Sequence, residues 1–212
     1  MKIVAISDTH NQLYSTPYVD LLIHAGDLTC GGTWKEIEKA VERLASQPAK
    51  RKVAIAGNHD SDIQDKPGEA RQLFKEAGII YLEDEEVTID GLRIYGSPWT
   101  PRYGEYAFMI ERYDPDLVEK WAQIPEGIDI LVTHGPPWGK FDVPFGSTMR
   151  AGDDDLMREL LRVKPRVHIF GHIHSPGMIK SSDDSILYIN AAQTSTDRGM
   201  YNLVYEPVIF EL

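Results

Sequence analysis

The sequence predicts a mixed α/β (α+β) fold, two packed mixed β-sheets flanked by helices, and three observations carry that prediction. Short apolar runs end abruptly in polar or glycine-containing turns, as buried strands do. Helical patterns separate these runs in the first half, which implies βαβ units. Hairpin patterns recur later, so the sheets are not purely parallel.

The strand-like runs are Lys2 to Ile6, Asp20 to His24, Lys52 to Ala56, Ile128 to Val132 and Arg166 to Phe170. The clearest helix begins at Thr33, where Thr33 and Glu36 have capping-box spacing and Trp34, Ile37, Val41 and Leu44 share a face; it stops before Pro48. A second helix is predicted from Gly68 to Ala77 with Gly78 as its C-terminal cap, and a third from Asp153 to Leu161, before Pro165. Residues 105 to 122 also read as helical, interrupted near Asp114-Pro115. Val87 to Ile89, the turn Asp90-Gly91 and Leu92 to Tyr95 form a hairpin, and Ile186 to Asn190, Tyr201 to Tyr205 and Val208 to Phe210 are late strands. With 212 residues and 42% hydrophobic content, one well-buried core is expected, hence a single domain over residues 1–212.

Composition bounds the chemistry. No apolar run approaches the roughly 18 residues of a membrane-spanning helix. The start, Met-Lys-Ile-Val-Ala-Ile-Ser-Asp, runs into a strand without a leader pattern, so a soluble protein of the cytoplasm is expected. Cys30 is the only cysteine, which excludes an internal disulfide and a thiolate metal cluster. A net charge of −11 and the lack of a basic block disfavour large nucleic acids as partners, although metal ions can reverse the potential within a cleft.

Polar residues collect where the strands end. Asp8 and His10 follow the first strand, Asp27 the second, and Asn58, His59 and Asp60 the third; His134 and the pair His172 and His174 follow the strands ending at Val132 and Phe170. Five of the seven histidines lie in these turns, and only His24 and His168 fall inside strands. In Asp8-Thr9-His10 and His172-Ile173-His174 an extended backbone would aim residues i and i+2 the same way, toward one rim of the sheets. Carboxylate, amide and imidazole donors suit Mn, Fe, Zn, Co or Ni and leave the metal open, and seven of them exceed the usual needs of one catalytic ion, so two divalent ions are expected.

The ordered blocks Asp8-X-His10, Gly26-Asp27, Gly57-Asn58-His59-Asp60, His134-Gly135 and Gly171-His172-Ile173-His174 resemble those of the calcineurin-like metallophosphoesterases. The resemblance implies that family's sandwich, with Asp8, His10 and His174 on one metal, Asn58, His134 and His172 on the other, and Asp27 bridging. It further implies in-line attack on phosphorus by a hydroxide bridging the metals, with His59 outside the metal shell assisting the leaving group. His24-Ala25-Gly26-Asp27, Gly96-Ser97-Pro98-Trp99 and Thr133-His134-Gly135-Pro136-Pro137 are similar to the MPPED subgroup, associated with cyclic-nucleotide phosphodiesterase activity. Some animal members of that subgroup lack the last histidine of the Gly-His-X-His block, whereas this chain keeps His174.

The reading is therefore a phosphoesterase for small phosphodiesters, nucleotides included, ahead of phosphomonoesters as a second substrate class. A noncatalytic metal-binding interaction module on the same fold is the alternative, opposed by the intact ligand set and by His59. Two long loops, Ser97 to Tyr103 and Pro136 to Arg150, are candidate pocket walls, with Trp99, Arg102 and Trp138 as candidate substrate contacts. For any single turn residue a local structural role outweighs a ligand role. His24 and His168 are expected to support the ligand loops, Asp60 to be a turn residue or to orient His59, Cys30 to fill space, and Asp153 to Asp155 to be a solvated helix start.

Overall fold

The computed structural model describes residues 1–12, 14–175, 177–180, 185–195 and 202–212. One sheet contains β1 (Lys2–Ile6), β2 (Val19–Ala25), β3 (Ala49–Ile55), β4 (Ile80–Tyr81) and β15 (Val208–Glu211), in the order β15-β1-β2-β3-β4. All neighbours are parallel except β15, which runs antiparallel along β1. The other contains β5 (Glu85–Ile89), β6 (Leu92–Ser97), β9 (Ile130–Thr133), β10 (Val167–Phe170), β11 (Gly177–Lys180) and β12 (Leu187–Asn190), ordered β11-β12-β10-β9-β6-β5. Its inner four strands are parallel and its two edges antiparallel.

Alternation along the strands explains the layering. Ile3 and Ala5 of β1, Leu21 and Ile23 of β2, and Val53 and Ile55 of β3 pack against Ile94, Ile130, Val132, Ile169 and Ile189 of the second sheet. The intervening residues Val4, Ile6, Leu22 and Ala54 face the opposite way, onto α1 (Trp34–Ser46) and α3 (Pro67–Glu76). Beyond the second sheet, α4 (Pro115–Ala122) and α5 (Asp154–Val163) bury Leu117, Trp121, Leu156 and Leu160 against Tyr95, Leu131, Phe170 and Tyr188. Both faces of each sheet are thus covered, which is why the parallel strands read as continuous apolar runs. None of the helices among the described residues is long and apolar enough to cross a membrane.

The predicted elements stand with shifted ends, and three features differ. A short helix α2 (Ser61–Asp65), the edge strand β4 and the pair β7 (Thr100–Pro101) with β8 (Met109–Ile110) carry too few residues for a periodic signal. The helical reading of residues 105 to 122 holds only for α4, because positive φ at Phe108 and Tyr113 breaks the chain upstream and Asp114-Pro115 starts the helix instead of interrupting it. The acidic start of α5 is not solvated: Asp153 and Asp155 are buried, and the Asp153 carboxylate accepts from the Leu156 N–H at 2.9 Å and the Trp121 indole at 3.3 Å. Of the late strands, β14 is Asn202–Leu203, pairing with β13 (Thr194–Ser195), and Tyr201 lies outside the described residues.

Candidate metal centre

All five ligand-bearing turns leave the same rim of the two sheets, and backbone bonds stitch them together. The Asp8 N–H donates to Gly26 O at 2.9 Å, His10 N–H to Asp27 O at 3.2 Å, and Gly171 N–H to His134 O at 2.9 Å. The turn after β12 joins them, with Gln193 N–H on Ser7 O at 3.0 Å and the Thr194 hydroxyl on Asp8 O at 2.8 Å. The i, i+2 pairs do not converge through extended backbone, as spacing alone suggests. Asp8, His10, Asp27 and His172 all have positive φ, between 43° and 66°. Such backbone is strained for non-glycine residues and persists only where surrounding contacts over-determine it. Gly171 permits the closest approach: a Cβ there would meet Asp8 Oδ2 and Ser7 Oγ at 2.1 Å.

The side chains converge on two adjoining points. At the first, His174 Nε2 is 3.2 Å from both Asp8 Oδ1 and His10 Nε2, and His10 Nε2 is 3.7 Å from Asp27 Oδ2. At the second, Asn58 Oδ1 is 2.9 Å from His134 Nε2 and 2.8 Å from His172 Nδ1, with Asp27 Oδ1 3.4 Å from His134 Nε2. Asp27 faces both. Two carbonyls fix the rings from behind, Thr29 O at 2.9 Å from His10 Nδ1 and Ala25 O at 2.9 Å from His134 Nδ1. A carbonyl only accepts, so each Nδ1 carries its proton and each Nε2 is turned inward as a donor atom.

The electrostatics are those of a site that holds protons where cations fit. Burial opposes charge on Asp8 and Asp27, yet the imidazoles beside them, His174 and His134 respectively, hold both carboxyls below the usual range. Burial likewise opposes charge on His134, but Asp27 pulls it up to about 9, and Asp8 raises His174 against the same burial. Burial, reinforced by the charge of His134, lowers His172 to about 3; burial also lowers His10. Asp8, His10 and His174, and again Asp8, Asp27 and His134, present ligand atoms within 4.8 Å of one another. Paired imidazole nitrogens and a shared amide oxygen at these separations fit divalent cations, which would replace the protons and relieve the crowding.

The surrounding residues divide sharply. His59 flanks the cluster, its ring edge-on to His10 at 5.0 Å, with its backbone N–H on Asp27 Oδ1 at 2.8 Å and its Nδ1 2.8 Å from Cys30 O. The contact uses the Cys30 backbone carbonyl, which orients the His59 ring whatever side chain the residue carries. Asp60 does not touch that ring. Its buried carboxylate accepts from Gly57 N–H at 2.9 Å, Leu28 N–H at 3.2 Å, Thr29 N–H at 3.0 Å and the Thr29 hydroxyl at 2.9 Å, clamping the turns after β2 and β3 together. Burial and the charge of Asp27 raise it to about 6. His24 and His168 do brace the turns, through Thr9 Oγ1 at 3.0 Å and Thr133 Oγ1 at 2.8 Å.

Of the candidate substrate contacts, Arg102 borders a cavity beside His172. Trp99 is turned into the framework instead: its indole N–H donates to Asp84 at 2.9 Å, Phe108 packs edge-on at 5.5 Å and Lys120 lies over its ring at 4.6 Å. Trp138 is partly exposed under Arg150, 5.9 Å from its ring, with its N–H on Asp153 O. Aromatics that do face the centre include Tyr103, whose hydroxyl accepts from Asn58 Nδ2 at 3.1 Å and whose ring is 5.2 Å from His172, Tyr106, 5.1 Å from His59, and Phe145, which borders the cavity over Asp27, His172 and His174. Tyr103 was visible on the first loop; Tyr106 was hidden by the helical reading of its segment.

A sandwich of two mixed sheets carrying a histidine, carboxylate and amide cluster on one rim defines a metallophosphoesterase. Residues 1–176 match the Calcineurin-like phosphoesterase family, and the chain belongs to it. Over its whole length it is 39% identical to Metallophosphoesterase domain-containing protein 1 of Homo sapiens and of Mus musculus, covering 71% of each. It is 35% identical to UPF0046 protein C25E10.12 of Caenorhabditis elegans, covering 81% of that protein. The crystal structure of phosphopantetheinyl hydrolase PptH from Mycobacterium tuberculosis shares the fold, with a TM-score of 0.63 over 90% of this chain and 88% of that one at 15% identity.

Proposed function

We propose that this chain is a two-metal phosphodiesterase for small phosphodiesters, cyclic nucleotides among them, working as one domain in the cytoplasm. The observation that carries this reading is the convergence of six donor residues around Asp27 with His59 at their edge. Asp8, His10 and His174 would hold one ion, Asn58, His134 and His172 the other, and Asp27 both. Bound divalent ions, manganese first among them, supply activated water and neutralise charge on the phosphoryl oxygens. With Nδ1–H committed to Cys30 O, His59 gives and recovers its proton at Nε2, which suits it to protonate a leaving alkoxide. Tyr106, 46% exposed and 5.4 Å from Tyr103, offers a stacking face for a nucleobase at the mouth of the site.

The test is an assay of metal-stripped protein reloaded with Mn on bis-p-nitrophenyl phosphate, p-nitrophenyl phosphate and 2',3'- and 3',5'-cyclic nucleotides. Metal-dependent diester cleavage that disappears in His59→Ala, with metal content intact, supports the reading. Silence across the panel despite bound metal refutes it in favour of a noncatalytic metal-binding module.

A further inference from the structure

The geometry points to a binding site for a second phosphate-like anion, on the arm of the substrate that lies against His172. The inference rests on the phosphoesterase reading for the first phosphate, held at the centre, and adds what the rest of the substrate carries. A cavity of about 570 Å³ opens beside the centre, with Arg102, Tyr103, Arg112, Pro144, Arg150 and His172 among its lining residues. Among the described residues, three guanidiniums and no carboxylate line it, on a chain whose net charge is −11. Across the Tyr103–Tyr106 pair, a cavity of about 510 Å³ bordered by His59 is lined, among the described residues, by Asp65 and Glu105 and by neither lysine nor arginine. The two sides of the centre are thus opposite in charge, and His59, the proton donor, stands on the acidic side. The anion belongs to the arm that stays with the phosphate after cleavage.

Arg112 is anchored by backbone carbonyls, Arg102 by carbonyls and exposed carboxylates, and Arg150 by a buried carboxylate. Arg112 donates to the backbone carbonyls of Gly152 at 2.7 Å and Ala151 at 2.9 Å, and its Asp154 partner is 3.9 Å away. Arg102 donates to Met109 O at 3.2 Å and Gly104 O at 3.3 Å and pairs with Glu111 at 3.0 Å and Glu105 at 3.4 Å; those carboxylates are 67% and 95% exposed, so water screens the pairs and leaves the guanidinium only partly compensated. Arg150 is held at 2.6 Å by the buried Asp142 and contributes shape more than net charge. Fixed guanidinium groups favour an anion with several oxygens, such as a phosphate monoester, which accepts two parallel N–H bonds from one side chain.

Calorimetric titration of the Mn-loaded protein with propyl phosphate and with 1,3-propanediol bisphosphate tests this, because the pair differs only in the second anion on a flexible arm. The bisphosphate is expected to bind at least tenfold tighter, and that margin to shrink as salt is raised. Arg102→Gln and Arg112→Gln should each cut the margin to threefold or less, Arg112→Lys should keep most of it, and Arg158→Gln, an exposed side chain on α5, should leave it unchanged. Thermal unfolding of each variant separates loss of the site from loss of the fold, and Arg102→Gln carries the test if Arg112→Gln does not fold. Equal affinity for the two ligands, or a margin that survives both glutamine variants, overturns the inference. Turnover of bis-p-nitrophenyl phosphate without a margin refutes the anion site alone, whereas a margin without turnover refutes the hydrolytic reading and leaves the anion site standing.

Discussion

Replacing Asp60 by alanine should loosen the centre without touching any candidate ligand. Its carboxylate is the acceptor for three backbone N–H groups, of Gly57, Leu28 and Thr29, and for the Thr29 hydroxyl, all buried. A buried donor left without a partner costs about 1–3 kcal/mol, and water admitted to the gap recovers part of it. The Thr29 hydroxyl keeps the His59 carbonyl at 2.6 Å, so about 1 kcal/mol for each of the three backbone donors, the low end of that range, gives a loss of about 3 kcal/mol, a large share of the roughly 5–15 kcal/mol that stabilises a typical domain. Asp60→Asn should retain about half, because one oxygen still accepts while the amide nitrogen faces donors. Urea denaturation of metal-free protein, followed by circular dichroism, measures the loss; titration with Mn measures the accompanying fall in metal affinity, since the clamped turns carry Asp27 and Asn58. A loss below about 1 kcal/mol in Asp60→Ala, with unchanged metal affinity, would refute the clamp.

Three further outcomes follow from the same geometry. In the metal-free protein His134 is held up to about 9, so at neutral pH it carries a proton that a ligating nitrogen must lose; loading should release protons, and metal affinity should rise with pH through neutrality toward about 9, as calorimetry in buffers of different ionisation enthalpy would report. Affinity that is flat with pH and loading without proton release would contradict that assignment. Gly171→Ala places a Cβ within 2.1 Å of Asp8 Oδ2 and Ser7 Oγ, and should abolish metal loading while leaving the sheets folded, read by metal analysis beside circular dichroism. Trp99→Phe removes a hydrogen bond to Asp84 and should cost about 1 kcal/mol of stability with no change in KM; a raised KM would restore Trp99 as a substrate contact.

The sandwich was legible because its parallel strands are buried on both faces, leaving unbroken apolar runs that stop at the rim. Ile130–Thr133 and Val167–Phe170 lie within two residues of their predicted spans. The candidate ligands were legible for a related reason: a charged or polar cluster directly after such a run has few structural uses in that number. The illegible parts depend on contacts between distant segments. That Asp60 binds Thr29 instead of orienting His59, and that Trp99 is claimed by Asp84 and Lys120, follow from how turns after different strands meet, which spacing along the chain does not encode. The segment from 105 to 114 misled for a local reason, since its apolar residues, which resemble a helical stripe, instead cross beneath the site with Phe108 in a left-handed conformation.

Two cations held by one rim of side chains would show directly in anomalous diffraction from crystals soaked in Mn. Two peaks roughly 3.5–4 Å apart are expected. One should be bounded by Asp8, His10 and His174, the other by Asn58, His134 and His172, with Asp27 between them. A single peak, or peaks away from these residues, would contradict that arrangement.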